Sequence, residues 1–175
     1  MTRGFLRNLI NKFFGKEVSV SEEQVPSASV NVNTRELLIE TLKTMNCLPT
    51  TPDEDRICFS WQGGYFIARA RNDSSFIQIW YPQWAECELY DIDQMARMQR
   101  VINNCNYSNC VNVCYTIDSE NDKFSVHSQN CFIFCKQIPH LTEYLECMLS
   151  DFFEIRRFFE RELDKETNEE ERLEH

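Results

Sequence analysis

Glycine and proline are scarce in this chain, four and five residues out of 175. That argues against a glycine-rich phosphate loop and against an architecture dominated by linkers. No run of about 18 apolar residues occurs, so nothing reads as a membrane span. The first fifteen residues mix apolar and basic side chains without a continuous apolar stretch, so no secretory signal is read there. Histidine is rare. His127 and His140 are the native imidazoles, and neither sits in a nucleophile–base motif. Gly-x-Ser-x-Gly and His-Glu-x-x-His are both missing. The Gly63-Gly64 pair reads as a turn, and His140 beside Pro139 as a surface residue at a helix start. The carboxylates gather on helix faces and in the tail, where water solvates them. The expectation is a protein without catalytic residues, metal or cofactor.

Apolar content, by contrast, is ample. Hydrophobic residues make up 42% of the chain and 13 are Phe, enough for one core with large aromatic anchors. The length suits one domain with tails. The net charge of −10 repels phosphate backbones and makes nucleic acid a poor partner. Charge is unevenly spread. Residues 1–16 carry Arg3, Arg7, Lys12 and Lys16 with no acid, while residues 160–174 carry eight acids against three bases. Nine cysteines is an odd number, and reduced thiols in the cytoplasm are the simplest reading; disulfides in an exported form are the alternative. Leu173-Glu174-His175 reads as the start of a vector-encoded tag and is set aside.

Periodicity predicts an amphipathic helix within residues 1–16, with Phe5, Leu6, Leu9, Ile10, Phe13 and Phe14 on one face, and a linker over 17–32. The domain proper spans 33–163, followed by a charged tail over 164–175. Asn33 and Glu36 have capping-box spacing, and the helix they open runs to about Asn46. Strands follow at Ile57–Trp61, Tyr65–Arg71 and Phe76–Tyr81, the last stopped by Pro82. Asp91 and Gln94 repeat the capping box for a second helix with Ile92, Met95, Ile102 and Cys105 on its apolar face. Cys110–Ile117 and Lys123–Cys135 form a hairpin around Asp118–Asp122. A last helix opens with Pro139 in its first turn and aligns Leu141, Leu145, Met148, Phe152, Ile155 and Phe159; its end, Glu160–Arg172, is expected to fray. The fold class is therefore α+β, a five-stranded antiparallel sheet with helices in the order α-β-β-β-α-β-β-α.

That order, the third strand Ile77-Gln78-Ile79-Trp80-Tyr81-Pro82 and the helix Asp91–Asn103 resemble the type III secretion chaperone-like fold, in particular the YbjN-like family of bacterial sensory transduction regulators. The resemblance covers about residues 33–163. It implies a non-catalytic protein whose fold relatives bind extended partner segments and often dimerise.

Three groups of residues are candidates for function. Trp61, Trp80, Tyr81 and Trp84 crowd the first and third strands and the following loop. They either form a partner-binding surface or complete the core. Residues 4–15, led by Phe5, Leu9, Phe13 and Phe14, pack on their own domain or a partner, lie on an anionic membrane surface, or stay mobile alone. Cysteines form the third group. Cys110 and Cys114 lie four apart on one strand, about 13 Å at about 3.3 Å per residue, too far to share a zinc; the same holds for Cys131 and Cys135. If Asp118 pairs with Lys123, Cys114 faces His127 and Cys110 faces Cys131, leaving a thiol–imidazole pair or a cross-strand disulfide open beside the plainer reading of small apolar residues. The favoured function is a protein-binding module, chaperone-like or regulatory adaptor, with a protein partner and homodimerisation expected. Alternatives are a peripheral membrane protein tethered by residues 4–15 and a thiol-based sensor.

Overall fold

A computed structural model describes residues 33–173. The expected amino-terminal helix and the 17–32 linker lie outside the described residues, as do the last two positions. The described residues form α1 (Thr34–Thr44), β1 (Arg56–Trp61), β2 (Gly64–Ala70), β3 (Phe76–Glu88), α2 (Ile92–Ser108), β4 (Asn112–Asp118), β5 (Lys123–Ile133) and α3 (Leu141–Leu173). The α+β class and the order read from the sequence both hold. The sheet runs β1-β2-β3-β5-β4 and every neighbouring pair is antiparallel. No helix among the described residues is long and apolar enough to cross a membrane.

Strand alternation decides which side is buried. Phe59 pairs with Phe66, Ile57 with Ala68 and Ala68 with Ile79, and all five are buried. Phe124, Val126 and Val113 extend the same face across β5 and β4. Onto it pack Leu38 and Leu42 of α1, Met98, Val101, Ile102 and Cys105 of α2, and Leu145, Leu149, Phe152, Ile155 and Phe159 of α3, forming one continuous core. Phe152 meets Phe66 edge-on at 5.6 Å. Each helix has one apolar stripe, so all three spend it on the same side of the sheet.

Several local expectations are corrected. Asn33 does not form a capping box: it is left-handed (φ 44°) and its side chain makes no cap hydrogen bond. Asn72, from the β2–β3 turn, takes that role. Its Oδ1 accepts from the Arg35 N–H at 3.0 Å, and its Nδ2 donates to Glu36 at 2.9 Å. Asp91 does cap α2, accepting from the Gln94 N–H at 2.9 Å, but Ile92 is exposed rather than inward-facing. Pro82 does not end β3. The strand continues to Glu88 through a bulge between Tyr81 and Ala85, where proline's missing N–H costs no ladder bond. Pairing in β4 begins at Asn112 and in β5 ends at Ile133, shorter at those ends than expected. Pro139 precedes α3 rather than lying in its first turn. That helix does not stop at Glu160. Partly buried Leu163 packs against the core, and Arg100 of α2 bonds Glu166 at 2.8 Å. The boundary expected at 163 therefore falls inside one helix.

Candidate partner-binding face

The opposite side of the sheet is built differently. No helix among the described residues covers it. Its rows follow from the register. Phe76 pairs with Ile133; next come Arg56, Arg69, Gln78 and Cys131 across four strands; then Cys58, Ile67, Trp80, Gln129 and Asn112 across five. Phe76 and Ile133 are 56% and 49% exposed and stand side by side across β3 and β5. Ile67 and Trp80 are half-buried by their neighbours alone. The Arg69 guanidinium lies over the Trp80 ring at 5.2 Å, a cation–π contact. A shallow groove beside it is bordered by Arg69, Ser74, Phe76, Gln78 and Cys131.

Three of the four aromatics expected to bind a partner face the helices instead. Tyr81 is buried, stacked on Phe66 at 4.9 Å, and its hydroxyl accepts from Arg156 at 3.1 Å. Trp84 is buried edge-on against Phe159 at 5.0 Å. Trp61 packs on Phe153 at 5.7 Å and is half-buried. These three belong to the core under α3, leaving Trp80 alone on the uncovered face. The bulge explains Trp84: three residues, Pro82 to Trp84, oppose the single His127, and the extra residues turn the indole back to the side of Tyr81.

The hairpin register is the one expected, with Asp118 opposite Lys123 and Cys114 opposite His127. A thiol–imidazole pair nevertheless does not form, because both ring nitrogens are engaged elsewhere. Nδ1 accepts from the Gln83 N–H at 3.0 Å and Nε2 meets the Thr116 hydroxyl at 2.7 Å. Burial pushes the Cys114 thiol up and the His127 imidazole down, so neither is activated as an ion. Cys110 lies before β4 starts. It borders a cleft with Asp151, Glu154 and Ile155 of α3, whereas Cys131 borders the groove on the uncovered face. The expected facing of Cys110 and Cys131 is thus not realised, because the β4–β5 ladder begins at Asn112 opposite Gln129 and stops short of both cysteines. All nine thiols are unbonded. Among the described residues no three His, Cys, Asp or Glu side chains are grouped to hold a metal ion. Phe5, Leu9, Phe13 and Phe14 lie outside the described residues.

Sequence reasoning missed Ile67, Arg69, Phe76 and Ile133. A signal was present: in Tyr65-Phe66-Ile67-Ala68, both alternating sets are apolar, so β2 carries greasy side chains on each face.

No family model matches the chain, and no curated protein matches it. Among solved structures, it is similar to the crystal structure of an uncharacterized protein from Methanothermobacter thermautotrophicus, with a TM-score of 0.52 and 11% identity over 76% of this chain and 98% of that one. At that identity the likeness shows the fold alone.

Proposed function

We propose that this chain is a non-enzymatic protein-binding module, a chaperone-like or regulatory adaptor that receives a segment of a partner protein on the uncovered face of its sheet. The observation that carries this reading is the two apolar pairs, Phe76 with Ile133 and Ile67 with Trp80, on a face that no described helix covers. Water is a poor solvent for such a surface. Fully burying an exposed side chain of this size is worth roughly 1.5–3 kcal/mol; these four are already about half buried, so each contributes about half of that on being covered, and a few anchors seated together still support specific binding. The resemblance to the type III secretion chaperone-like fold agrees with this reading.

A photo-crosslinking amino acid placed at Phe76 or Ile133 of the full chain, with Arg157 on the exposed side of α3 as reference, tests the proposal. Adducts from the source cells are expected at the first two positions and not at the third, and Trp80→Ala is expected to reduce them. The adduct mass distinguishes a second copy of this chain from another protein. Equal labelling at all three positions would remove the proposal.

A further inference from the structure

We infer that the occupant of this face is an acidic amphipathic helix of a partner protein, with a carboxylate that meets Arg69 while its apolar stripe covers Ile67, Trp80, Phe76 and Ile133. The inference rests on the reading of that face as the partner-binding surface, and adds the chemistry of the partner.

The charge pattern runs against that of the molecule. The chain carries −10 overall, yet Arg56 and Arg69 stand directly opposite each other on β1 and β2. Like charges facing across an antiparallel pair are destabilising. Arg56 is relieved by Asp53 at 2.6 Å, and Arg71, at the end of β2, by Asp73 at 2.5 Å. Arg69 has no acidic partner among the described residues, and its guanidinium stacks on the Trp80 ring beneath it. A guanidinium stacked on an indole keeps its planar fork of N–H donors oriented, ready for a two-pronged bond to a carboxylate. Apart from Asp53 and Asp73, which Arg56 and Arg71 engage, the acids on this face sit at the far end, where Glu86 and Glu88 flank Lys123 at 3.4 and 2.5 Å. The face is therefore polarised, with its unmatched positive charge placed between two apolar rows.

The shape favours a helix. The other side of this sheet is covered by helices that each contribute one apolar stripe. The uncovered side is more polar, but it places apolar side chains, Phe76 with Ile133 and Ile67 with Trp80, on both sides of the arginine row, where one helix with a single apolar stripe can lie across them. A helix with Leu or Phe at i, i+3, i+4 and i+7, and Glu or Asp beside that stripe, matches both features. The chain's own residues 4–15 have the apolar residues but the wrong sign, since Arg3, Arg7, Lys12 and Lys16 surround them.

Three peptides, each roughly five turns long or shorter, test the inference against the full chain by fluorescence anisotropy. Two share one leucine stripe flanked by Glu in one and by Lys in the other; the third is residues 1–16. The expected result is that the Glu peptide binds about tenfold more tightly than the Lys peptide. That preference opposes the bulk charge of −10, so non-specific attraction cannot produce it. Arg69→Gln, an exposed substitution, is expected to abolish most of the preference, and Arg157→Gln on α3 to leave it intact. If the Lys peptide or residues 1–16 bind as tightly as the Glu peptide, the acidic-helix inference is overturned and the docking face stands. An unchanged preference in Arg69→Gln also overturns it. If no peptide binds, the acidic-helix inference is overturned, and crosslinking at Phe76 and Ile133 alone decides the docking face.

Discussion

His127 on β5 holds the bulge in β3 through one bond: its Nδ1 accepts the backbone N–H of Gln83 at 3.0 Å. A nitrogen that accepts carries no proton, so the neutral ring must be protonated on Nε2, which then donates to the Thr116 hydroxyl at 2.7 Å. Gln83 is left-handed (φ 49°), the conformation the bulge requires, and the bulge is what returns Trp84 to the core beneath α3. One imidazole thus ties the ladder to a buried indole.

Protonating His127 would set an N–H against the Gln83 N–H. Burial already pushes its pKa below the usual value. Above about pH 6.5 both folded and unfolded rings are neutral, and the bond contributes fully. As pH falls through about 6.5 the unfolded chain takes up a proton that the folded chain refuses, so stability declines until the folded ring titrates. The depressed carboxylates of Glu36, Asp53 and Asp118 act in a separate, lower window, because their stabilisation is lost only as pH falls below about 4. Urea unfolding from pH 7.5 to 5 is expected to show a falling midpoint. His127→Asn, which keeps an acceptor near the Nδ1 position, should flatten it. An identical slope in the variant would show that the imidazole is not the titrating group.

Helix α1 is capped from a distance. Asn72→Ala removes both the acceptor for the Arg35 N–H and the donor to Glu36, and is expected to cost about 1–2 kcal/mol, the usual worth of a helix cap. Asn33→Gly should be neutral or slightly stabilising, since Asn33 makes no cap bond and its φ of 44° suits glycine. Thermal melts of the two variants check the contrast. The reverse order would restore Asn33 as the cap.

These cases mark what the sequence could and could not show. Alternation at Ile57–Trp61, the Asp91 cap and the Asp118–Lys123 register are local properties, carried by neighbouring residues, and they were legible. Asn72 was not, because its partners lie 36 and 37 positions away and nothing in the sequence around Asn33 differs from a genuine capping box. Tyr81 and Trp84 share a side only because the bulge adds residues, and an extra residue reverses any reading that counts by twos. The side of the sheet left uncovered was hidden too. It depends on all three helices choosing one face, which their separate stripes do not reveal.

Gly64 makes a close approach that no other residue tolerates without movement. A Cβ there would lie 2.9 Å from Phe66 Cε2 and 3.0 Å from Phe153 Cζ. Phe153 also packs edge-on against Tyr81 at 5.6 Å, so its ring is held from two sides. Gly64→Ala is expected to destabilise by ~1–3 kcal/mol through overpacking. Gly63→Ala acts through its φ of 80° instead, since nothing lies within 4 Å of its would-be Cβ. Trimming Phe153 to Leu should relieve part of the first variant's strain, the share not held by the Phe66 ring, and leave the second unchanged, a difference that denaturant titrations resolve. Relief of both would place the strain in the turn rather than at the ring.

The cysteines separate by place rather than by spacing. Cys110, Cys131 and Cys147 are exposed, while Cys47, Cys58 and Cys105 are buried. Burial, reinforced by the nearby Glu162 carboxylate, pushes the Cys105 thiol up to about 12, so it presents almost no thiolate near neutrality. Native-state labelling at pH 8 should therefore modify the exposed three first and reach Cys105 only on unfolding. Mild oxidant should give no selective Cys110–Cys131 bond, because a disulfide needs Cα atoms within about 7 Å and these residues border clefts on different sides of the sheet. Peptide mapping by mass spectrometry reads both outcomes. Early accumulation of that bond would mean that the start of β4 opens and pairs onward past Asn112, bringing Cys110 opposite Cys131, and the thiol-sensor reading would return with a moving strand end as its mechanism.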